Sequence, residues 1–225
     1  RLKASIRSCN RVITISEASC EDILKRVKVS KDKISVIYNG YNRISELPVQ
    51  GVKEDYMIAV TSNLPHKNAE GIIRAYERYC SKTDKPLKLR IIGIADVAQY
   101  HLSQDVGNNI ICYKYIESNE EMHHMIAAAK IFLFLSLVEG FGFPPIEAMQ
   151  LGTPVVCSGV SSLPEVVGGA AILVDPCEPD EVAEALVKLQ NDENKQQELI
   201  VKGYHNVERF SWDKTANKYA DIVMK

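Results

Sequence analysis

The run Ile131-Phe-Leu-Phe-Leu-Ser-Leu-Val138 is apolar almost throughout and leads directly into Glu139-Gly-Phe-Gly-Phe-Pro-Pro-Ile-Glu147-Ala-Met149. Continuous apolar strands are expected where helices cover both faces of a parallel sheet. The two glycines permit a tight loop, and the two prolines suit the first turn of a helix. The stretch therefore predicts a buried strand that ends at a carboxylate, followed by a loop and a helix.

Similar short apolar runs recur along the chain and alternate with helical periodicity. Strand–helix alternation predicts an α/β fold with a doubly wound, Rossmann-like parallel sheet. The other predicted strands cover residues 11–15, 33–38, 56–60, 87–92, 110–113, 154–157 and 171–174, and the clearest helical patterns cover 69–80, 180–189 and 212–224.

A boundary is expected near residues 39–55. Asn39-Gly40 is a strong turn signal, and the segment that follows is polar and lacks clear periodicity. We expect the strands at 11–15 and 34–38 to belong to a different sheet from the later ones.

The composition is that of an ordinary globular chain. Of 225 residues, 46% are hydrophobic and 25% are charged, and the net charge of −2 provides no field to attract nucleic acid. No apolar run approaches the length needed to span a bilayer. Six scattered cysteines form no C-x-x-C pair, which favours reduced thiols and a cytoplasmic protein. Because the sequence starts at Arg1 without a targeting segment, we expect it to be a fragment.

Glu139 and Glu147 are the first candidate site residues. Ligands of open parallel sheets bind beyond the carboxyl ends of the strands, and carboxylates accept hydrogen bonds from paired hydroxyls of a sugar or ribose. The helix start after Gly142 is expected to favour an anion. Either acid alone could instead be an exposed strand end or a charge that stabilises a helix terminus. Their combination with Gly-x-Gly and Pro-Pro favours a ligand site.

Lys67 marks a second strand end, within Val60-Thr-Ser-Asn-Leu-Pro-His-Lys-Asn68. A lysine at a helix start is disfavoured by the helix dipole unless an anion such as phosphate lies there. The alternative is an exposed lysine whose stem covers apolar surface. For His66 a surface or capping role is favoured over catalysis.

Several other sites lack their sequence signature. Gly140-x-Gly142 is followed by Pro145 where a nicotinamide dinucleotide fingerprint needs a third glycine, and no P-loop is present. His123-His124 lacks the His-Glu-x-x-His arrangement of zinc sites, and no Asp-x-Asp occurs. We therefore expect no metal and no separate cofactor.

The two-glutamate segment, followed by Leu151-Gly-Thr-Pro-Val-Val156, resembles the retaining glycosyltransferases of family 4 (group 1). Ser161-Ser-Leu-Pro-Glu-Val-Val-Gly168 and Ile13-Thr-Ile-Ser-Glu17 are similar to other segments of that family, and Phe210-Ser-Trp-Asp213 to its final helix. The resemblance covers nearly the whole chain.

The resemblance implies a GT-B fold, in which two Rossmann-like domains flank a cleft. Residues 1–45 would be a remnant of the amino-terminal acceptor domain with the interdomain link. Residues 46–225 would be the nucleotide-sugar-binding domain with a terminal crossing helix. The implied reaction transfers a sugar, with retention, from a GDP- or UDP-linked donor to a glycan or lipid-linked acceptor. The implied location is cytoplasmic or peripheral at the membrane.

The resemblance also assigns roles to residues. Lys67 would contact the diphosphate, Glu139 the donor sugar and Glu147 the ribose, with Glu139 and Lys67 the catalytic pair. The full set of implied donor-binding residues is Asn63, Lys67, Tyr115, Ile116, Glu139, Gly140, Phe141, Gly142, Phe143 and Glu147. Many members carry an arginine in the loop before the lysine, and the stretch Thr61-Ser-Asn-Leu-Pro-His-Lys67 has none.

Two other functions remain open from the sequence. A non-catalytic glycosyltransferase-like subunit would keep the fold and bind a nucleotide sugar, and the missing arginine is compatible with it. A nucleotide-sugar epimerase can share the two-domain fold but fits the spacing of Glu139 and Glu147 less well. The style of the motifs leans toward mannose-type donors.

Overall fold

The computed structural model describes residues 1–45 and 52–224. The strands it contains there are β1 (Val12–Thr14), β2 (Ile34–Val36), β3 (Glu54–Val60), β4 (Lys88–Ile92), β5 (Ile110–Tyr113), β6 (Ala129–Phe134), β7 (Val155–Ser158) and β8 (Ala171–Val174). The α-helices are α1 (Leu2–Ser8), α2 (Glu17–Arg26), α3 (Ala69–Ser81), α4 (Gln104–Asn108), α5 (Asn119–Ala128), α6 (Phe143–Gln150), α7 (Leu163–Val167), α8 (Pro179–Gln190), α9 (Glu193–Val207) and α10 (Trp212–Val223).

The main sheet has six parallel strands in the order β5-β4-β3-β6-β7-β8. The chain builds outward from β3 in one direction and then restarts at β6 in the other. This is the doubly wound arrangement predicted from the sequence. Its switch point, where the strand order reverses, lies between β3 and β6.

A separate small sheet precedes the main one. Strands β1 and β2 pair in parallel and are joined through α2, which forms the crossover that a parallel pair needs. The expectation that these strands belong to a different sheet is confirmed. Part of the expected boundary, residues 46–51, lies outside the described residues, and the division into two domains stays a prediction.

Helices cover both faces of the main sheet, which explains its apolar strands. Helices α3 and α8 pack on one face, where Tyr76, Tyr79 and Leu186 are fully buried. Helices α5 and α6 pack on the other face, against Phe132 and Phe134 of β6. Because helices cover both faces, the central strands β6 and β7 are buried almost throughout and show no polar–apolar alternation.

Strand β6 ends earlier than the sequence suggested. The ladder stops at Phe134, and the apolar residues Leu135–Val138 belong to the following loop. Leu137 N donates to the carbonyl of His66 at 2.8 Å, so the loop after β6 bonds to the loop after β3 instead of extending the sheet. Glu139 therefore lies on a loop and not at the strand end.

The predicted helices are present with small differences at their ends. Helix α3 covers 69–81 against the expected 69–80, and Pro179 occupies the first turn of α8 as expected. Helix α10 follows Ser211, whose hydroxyl makes no capping hydrogen bond. The 15-residue helix α9 had no sequence-based prediction.

Across residues 1–45 and 52–224, no helix combines the length and the apolar character that crossing a membrane requires.

Lys53 ties the amino-terminal edge of the main sheet to two helix ends. Its Nζ donates to the carbonyl oxygens of Ala127 (2.6 Å) and Gly152 (2.9 Å) and to Oγ1 of Thr153 (3.2 Å). These acceptors lie where α5 and α6 end, and the carboxyl ends of helices favour a cation. Burial lowers the pKa of Lys53 to about 8.

We expect Lys53→Met to lower the free energy of unfolding by about 1–3 kcal/mol, because buried acceptors lose their donor. The lowered pKa means that the unfolded chain binds more protons than the folded chain above about pH 8. Lys53 therefore adds stability to the wild-type protein relative to the variant as the pH rises from 8 toward 10, and the gap between the two widens. Urea titrations at both pH values test this, with the exposed Lys188→Met as the control; a gap that narrows with pH contradicts it.

Candidate functional site

The strand order explains why Lys67 and Glu139 lie together. Lys67 lies on the loop after β3 and Glu139 on the loop after β6, and these strands are neighbours at the switch point. The bond from Leu137 N to the carbonyl of His66 holds the two loops side by side. The two strand ends that the sequence singled out therefore form one site.

Lys67 and Glu139 form an ion pair at this point. Lys67 Nζ lies 2.6 Å from Glu139 Oε1, and the two side chains are 27% and 13% exposed. The ring of Phe134 lies 5.9 Å from the ammonium. Partial burial keeps water from screening the attraction fully. A ligand that brings an anion to Lys67 must compete with Glu139 for it.

Asn68 fixes the loop that carries Lys67. Its backbone has a φ of 55°, in the left-handed region that asparagine tolerates better than most residues. Its side chain caps α3 by accepting from Gly71 N and donates to the carbonyls of Leu135 (3.0 Å) and Pro176 (3.1 Å). The amide thus joins the loops after β3, β6 and β8. The sequence analysis assigned it no role.

The glycine-rich loop 140–143 leads from Glu139 into α6. Gly142 precedes the helix with a φ of 109°, and a Cβ on it would lie 2.6 Å from Cδ2 of Leu163. Among the described residues, the backbone amides of 140–143 find no hydrogen-bond acceptor. Pro144 and Pro145 have no N–H, so the donors at the helix start are the amides of Gly142 and Phe143. This helix start therefore offers fewer donors than one without prolines.

Two serines that follow β7 hold the backbone of Glu139 in place. Ser161 Oγ accepts from Glu139 N (3.1 Å) and donates to its carbonyl (2.8 Å). Ser162 Oγ lies within hydrogen-bond distance of the carbonyls of Glu139 (3.0 Å) and Phe141 (2.8 Å). The position of the Glu139 loop is therefore set by the neighbouring segment.

The Glu139 cleft opens beside this loop. It has a volume of 370 Å³, and its walls are the loop and the polar face of α2. The residues that line it are Ala18, Ser19, Glu21, Asp22, Lys25, Val138, Glu139, Gly140 and Ser161.

Glu147 lies in a different cleft, on the far side of the glycine-rich loop. This Glu147 cleft has a volume of 470 Å³ and is also lined by Tyr41, His123, Phe143 and Trp212. Burial raises the pKa of Glu147. In the described residues the hydroxyl of Tyr41 is buried without a hydrogen-bond partner. The structure thus joins Lys67 to Glu139 and places Glu147 in an adjacent cleft, linked to them through residues 140–143.

The remaining predicted residues lie farther out along the carboxyl edge. Asn63 lines a third cleft of 580 Å³ beside the start of α3. Tyr115 is 76% exposed, and Ile116 packs partly against the sheet. The structure does not bring these three side chains to the ion pair, and their roles stay predictions.

Comparisons with known proteins agree with this architecture. O-antigen chain mannosyltransferase B of Escherichia coli is 29% identical over 237 residues, which cover 97% of this chain and 62% of that protein. The MMP alpha-(1->4)-mannosyltransferase of Mycolicibacterium hassiacum is 31% identical over 229 residues, with 99% and 56% covered. The crystal structure of Anabaena Alr3699/HepE in complex with UDP and glucose matches with a TM-score of 0.77 and 19% identity, covering 98% of this chain and 64% of that one.

The sheet and its helices are therefore those of a GT-B glycosyltransferase domain. A family model described as "Glycosyl transferases group 1" matches residues 44–206, and the chain belongs to this family. The chain spans less than two thirds of the length of the two mannosyltransferases that it resembles.

Glu147 offers a test of its environment without any ligand. Because its pKa is higher in the folded chain, folding loses stability as the pH rises through the carboxyl range. We expect Glu147→Gln to be more stable than the wild-type protein at pH 7, with the difference vanishing near pH 4. Urea denaturation at both pH values measures this, with the exposed Glu117→Gln as the control. A variant that is less stable at pH 7 would show that the carboxylate has a structural partner.

Proposed function

We propose that this chain is the donor-binding part of a retaining glycosyltransferase that binds a nucleoside-diphosphate sugar. The observation that carries the proposal is the Lys67–Glu139 pair at the switch point, next to the unpaired amides of residues 140–143. A cation and free N–H groups suit a diphosphate, and a carboxylate suits sugar hydroxyls. Both are present at the edge where doubly wound sheets bind ligands.

The same groups suit the transition state of sugar transfer. As the bond from the anomeric carbon to the diphosphate breaks, the sugar becomes oxocarbenium-like and negative charge grows on the leaving phosphate. Lys67 and the amides of Gly142 and Phe143 would stabilise that charge, which is the main catalytic task. Because leaving-group stabilisation does most of the work, a carboxylate nucleophile is not required.

The Lys67–Glu139 ion pair implies that both side chains change partners when a donor binds. Without a donor, Glu139 neutralises Lys67. When a donor binds, Lys67 pairs with the diphosphate instead, and Glu139 becomes free to accept hydrogen bonds from the sugar. The carboxylate thus competes with the phosphate and recognises the sugar, so it favours an intact donor over a free nucleoside diphosphate.

The matched relatives point to the class of sugar and acceptor. The two relatives described above are named as mannosyltransferases, and HepE was crystallised with UDP and glucose. We infer a hexose donor, with mannose favoured, and a glycan or lipid-linked acceptor. A thermal-shift panel of GDP, UDP, GDP-mannose and UDP-glucose tests the donor class, and no shift with any of the four would contradict the proposal.

Lys67→Ala should weaken binding of the nucleoside diphosphate that binds the wild-type protein by roughly tenfold to a hundredfold, the value of one charge-assisted hydrogen bond. Isothermal calorimetry measures the affinity. Lys82→Ala is the matched control, since Lys82 is 32% exposed and pairs with Asp180 at 3.3 Å at the far end of α3. Equal affinity of the two variants would remove Lys67 from the site.

Glu139→Gln should shift the ratio of the two affinities toward the free nucleoside diphosphate. Binding of the free nucleoside diphosphate should strengthen by about threefold to tenfold, because Lys67 no longer has a competing anion. Binding of the intact sugar donor should weaken relative to it. Calorimetry with both ligands gives the ratio, and a parallel loss of both affinities would contradict the exchange of partners.

A further inference from the structure

Glu165, on helix α7, contacts two parts of the chain that are distant in sequence. Its Oε2 accepts from Glu17 N (2.9 Å) and from the hydroxyl of Tyr38 (2.9 Å), and its Oε1 accepts from Ala18 N (3.0 Å). One carboxylate thus receives three hydrogen bonds from the segment that contains the small sheet.

The contact completes the amino-terminal end of α2. Ser16 caps this helix by accepting from Ser19 N, and Glu165 accepts from the two amides before it. The positive end of the helix dipole favours the carboxylate. Three of the four amides that a helix start leaves free therefore have acceptors, two of them supplied from another element.

The segment that carries Glu165 also holds the Glu139 loop. Ser161 and Ser162, a few residues earlier, hydrogen-bond the backbone of Glu139 and Phe141. Ser161 has a φ of 59°, a conformation that costs free energy for a serine and persists where the surroundings impose it. The segment 161–165 therefore contacts the loop through its first two residues and α2 through its last.

The segment 161–165 is itself held by hydrogen bonds from residues at the end of α9 and just after it. Asn206 Nδ2 donates to the carbonyl of Val166 (2.9 Å), and Arg209 donates to the carbonyl of Glu165 (3.0 Å). The ring of Tyr38 packs 6.2 Å from the ring of Phe141. With the segment held in this way, motion of α2 relative to Glu139 would have to break the hydrogen bonds from α2 to Glu165.

We propose that Glu165 is a positioning residue that fixes α2 against the Glu139 loop and so sets the width of the Glu139 cleft. The two walls of this cleft are α2 and the loop, and Glu165 with the two serines is the connection between them. The proposal rests on the proposed function in one respect, that the sugar of the donor lies in this cleft.

The test compares Glu165→Gln and the milder Tyr38→Phe with Glu181→Gln. Glu181 is a matched control, since its carboxylate also accepts a backbone N–H, from Asp175 at 3.1 Å, on α8 and away from the cleft. Hydrogen exchange is measured at the amides of residues 17–20 and at the amide of Glu139, which donates to Ser161 Oγ. Calorimetry gives the affinity ratio between GDP-mannose and GDP, or between UDP-glucose and UDP, for whichever pair binds.

In Glu165→Gln we expect exchange to accelerate about tenfold at residues 17–20 and also at the Glu139 amide, because local opening becomes easier on both sides. The affinity ratio should fall about fivefold in favour of the free nucleoside diphosphate. Tyr38→Phe should show the same pattern to a smaller extent, and Glu181→Gln should leave both readouts unchanged.

Faster exchange confined to residues 17–20, or an unchanged affinity ratio, would overturn the proposal and leave Glu165 as a local helix cap. If Glu165→Gln does not fold, Tyr38→Phe decides by the same criteria. If the wild-type protein binds none of the four nucleotides, the proposed function fails, and exchange at the Glu139 amide alone decides whether Glu165 couples the two walls.

Discussion

The attraction between Lys67 and Glu139 is the interaction on which the site depends. It exists because the sheet reverses its strand order between β3 and β6, which brings the loops after these two strands together. Each partner is held by its own backbone contacts, Lys67 next to Asn68 and Glu139 by the serines after β7. Removing either charge would leave the other half-buried and unpaired, so the pair links the geometry of the fold to the electrostatics of the site.

Much of the sheet could be predicted because its strands are buried on both faces. Apolar runs at 56–60, 87–92 and 171–174 needed only composition and turn signals to be recognised as strands. The end of β6 could not be predicted in this way, because Leu135 and Ser136 are as buried in the loop as the residues of the strand. Helix α9 was missed because its buried positions include Gly203 and Asn206, which add little to an apolar pattern.

The part of the candidate site that could be predicted is the part where a charged residue follows a strand. Glu139 ends an apolar run and Lys67 lies in the polar loop that follows another, and parallel strands place the loops after them on one edge. Asn68, Glu165 and Tyr41 carry no such signal, because their roles depend on partners far away in sequence, as between Glu165 and Glu17. The separation of Glu147 from the ion pair also depends on which side of the 140–143 loop a helix residue faces, and spacing alone does not specify this.

Pro144 and Pro145 have a consequence for the rate at which a ligand binds. Their rings fix φ in the first turn of α6, and Pro144 also restricts the backbone of Phe143, the residue before it. The loop has little conformational entropy left to lose when a ligand arrives. A ligand that binds at this end of the sheet should therefore need no slow ordering of the loop, and the restricted backbone would allow rapid binding.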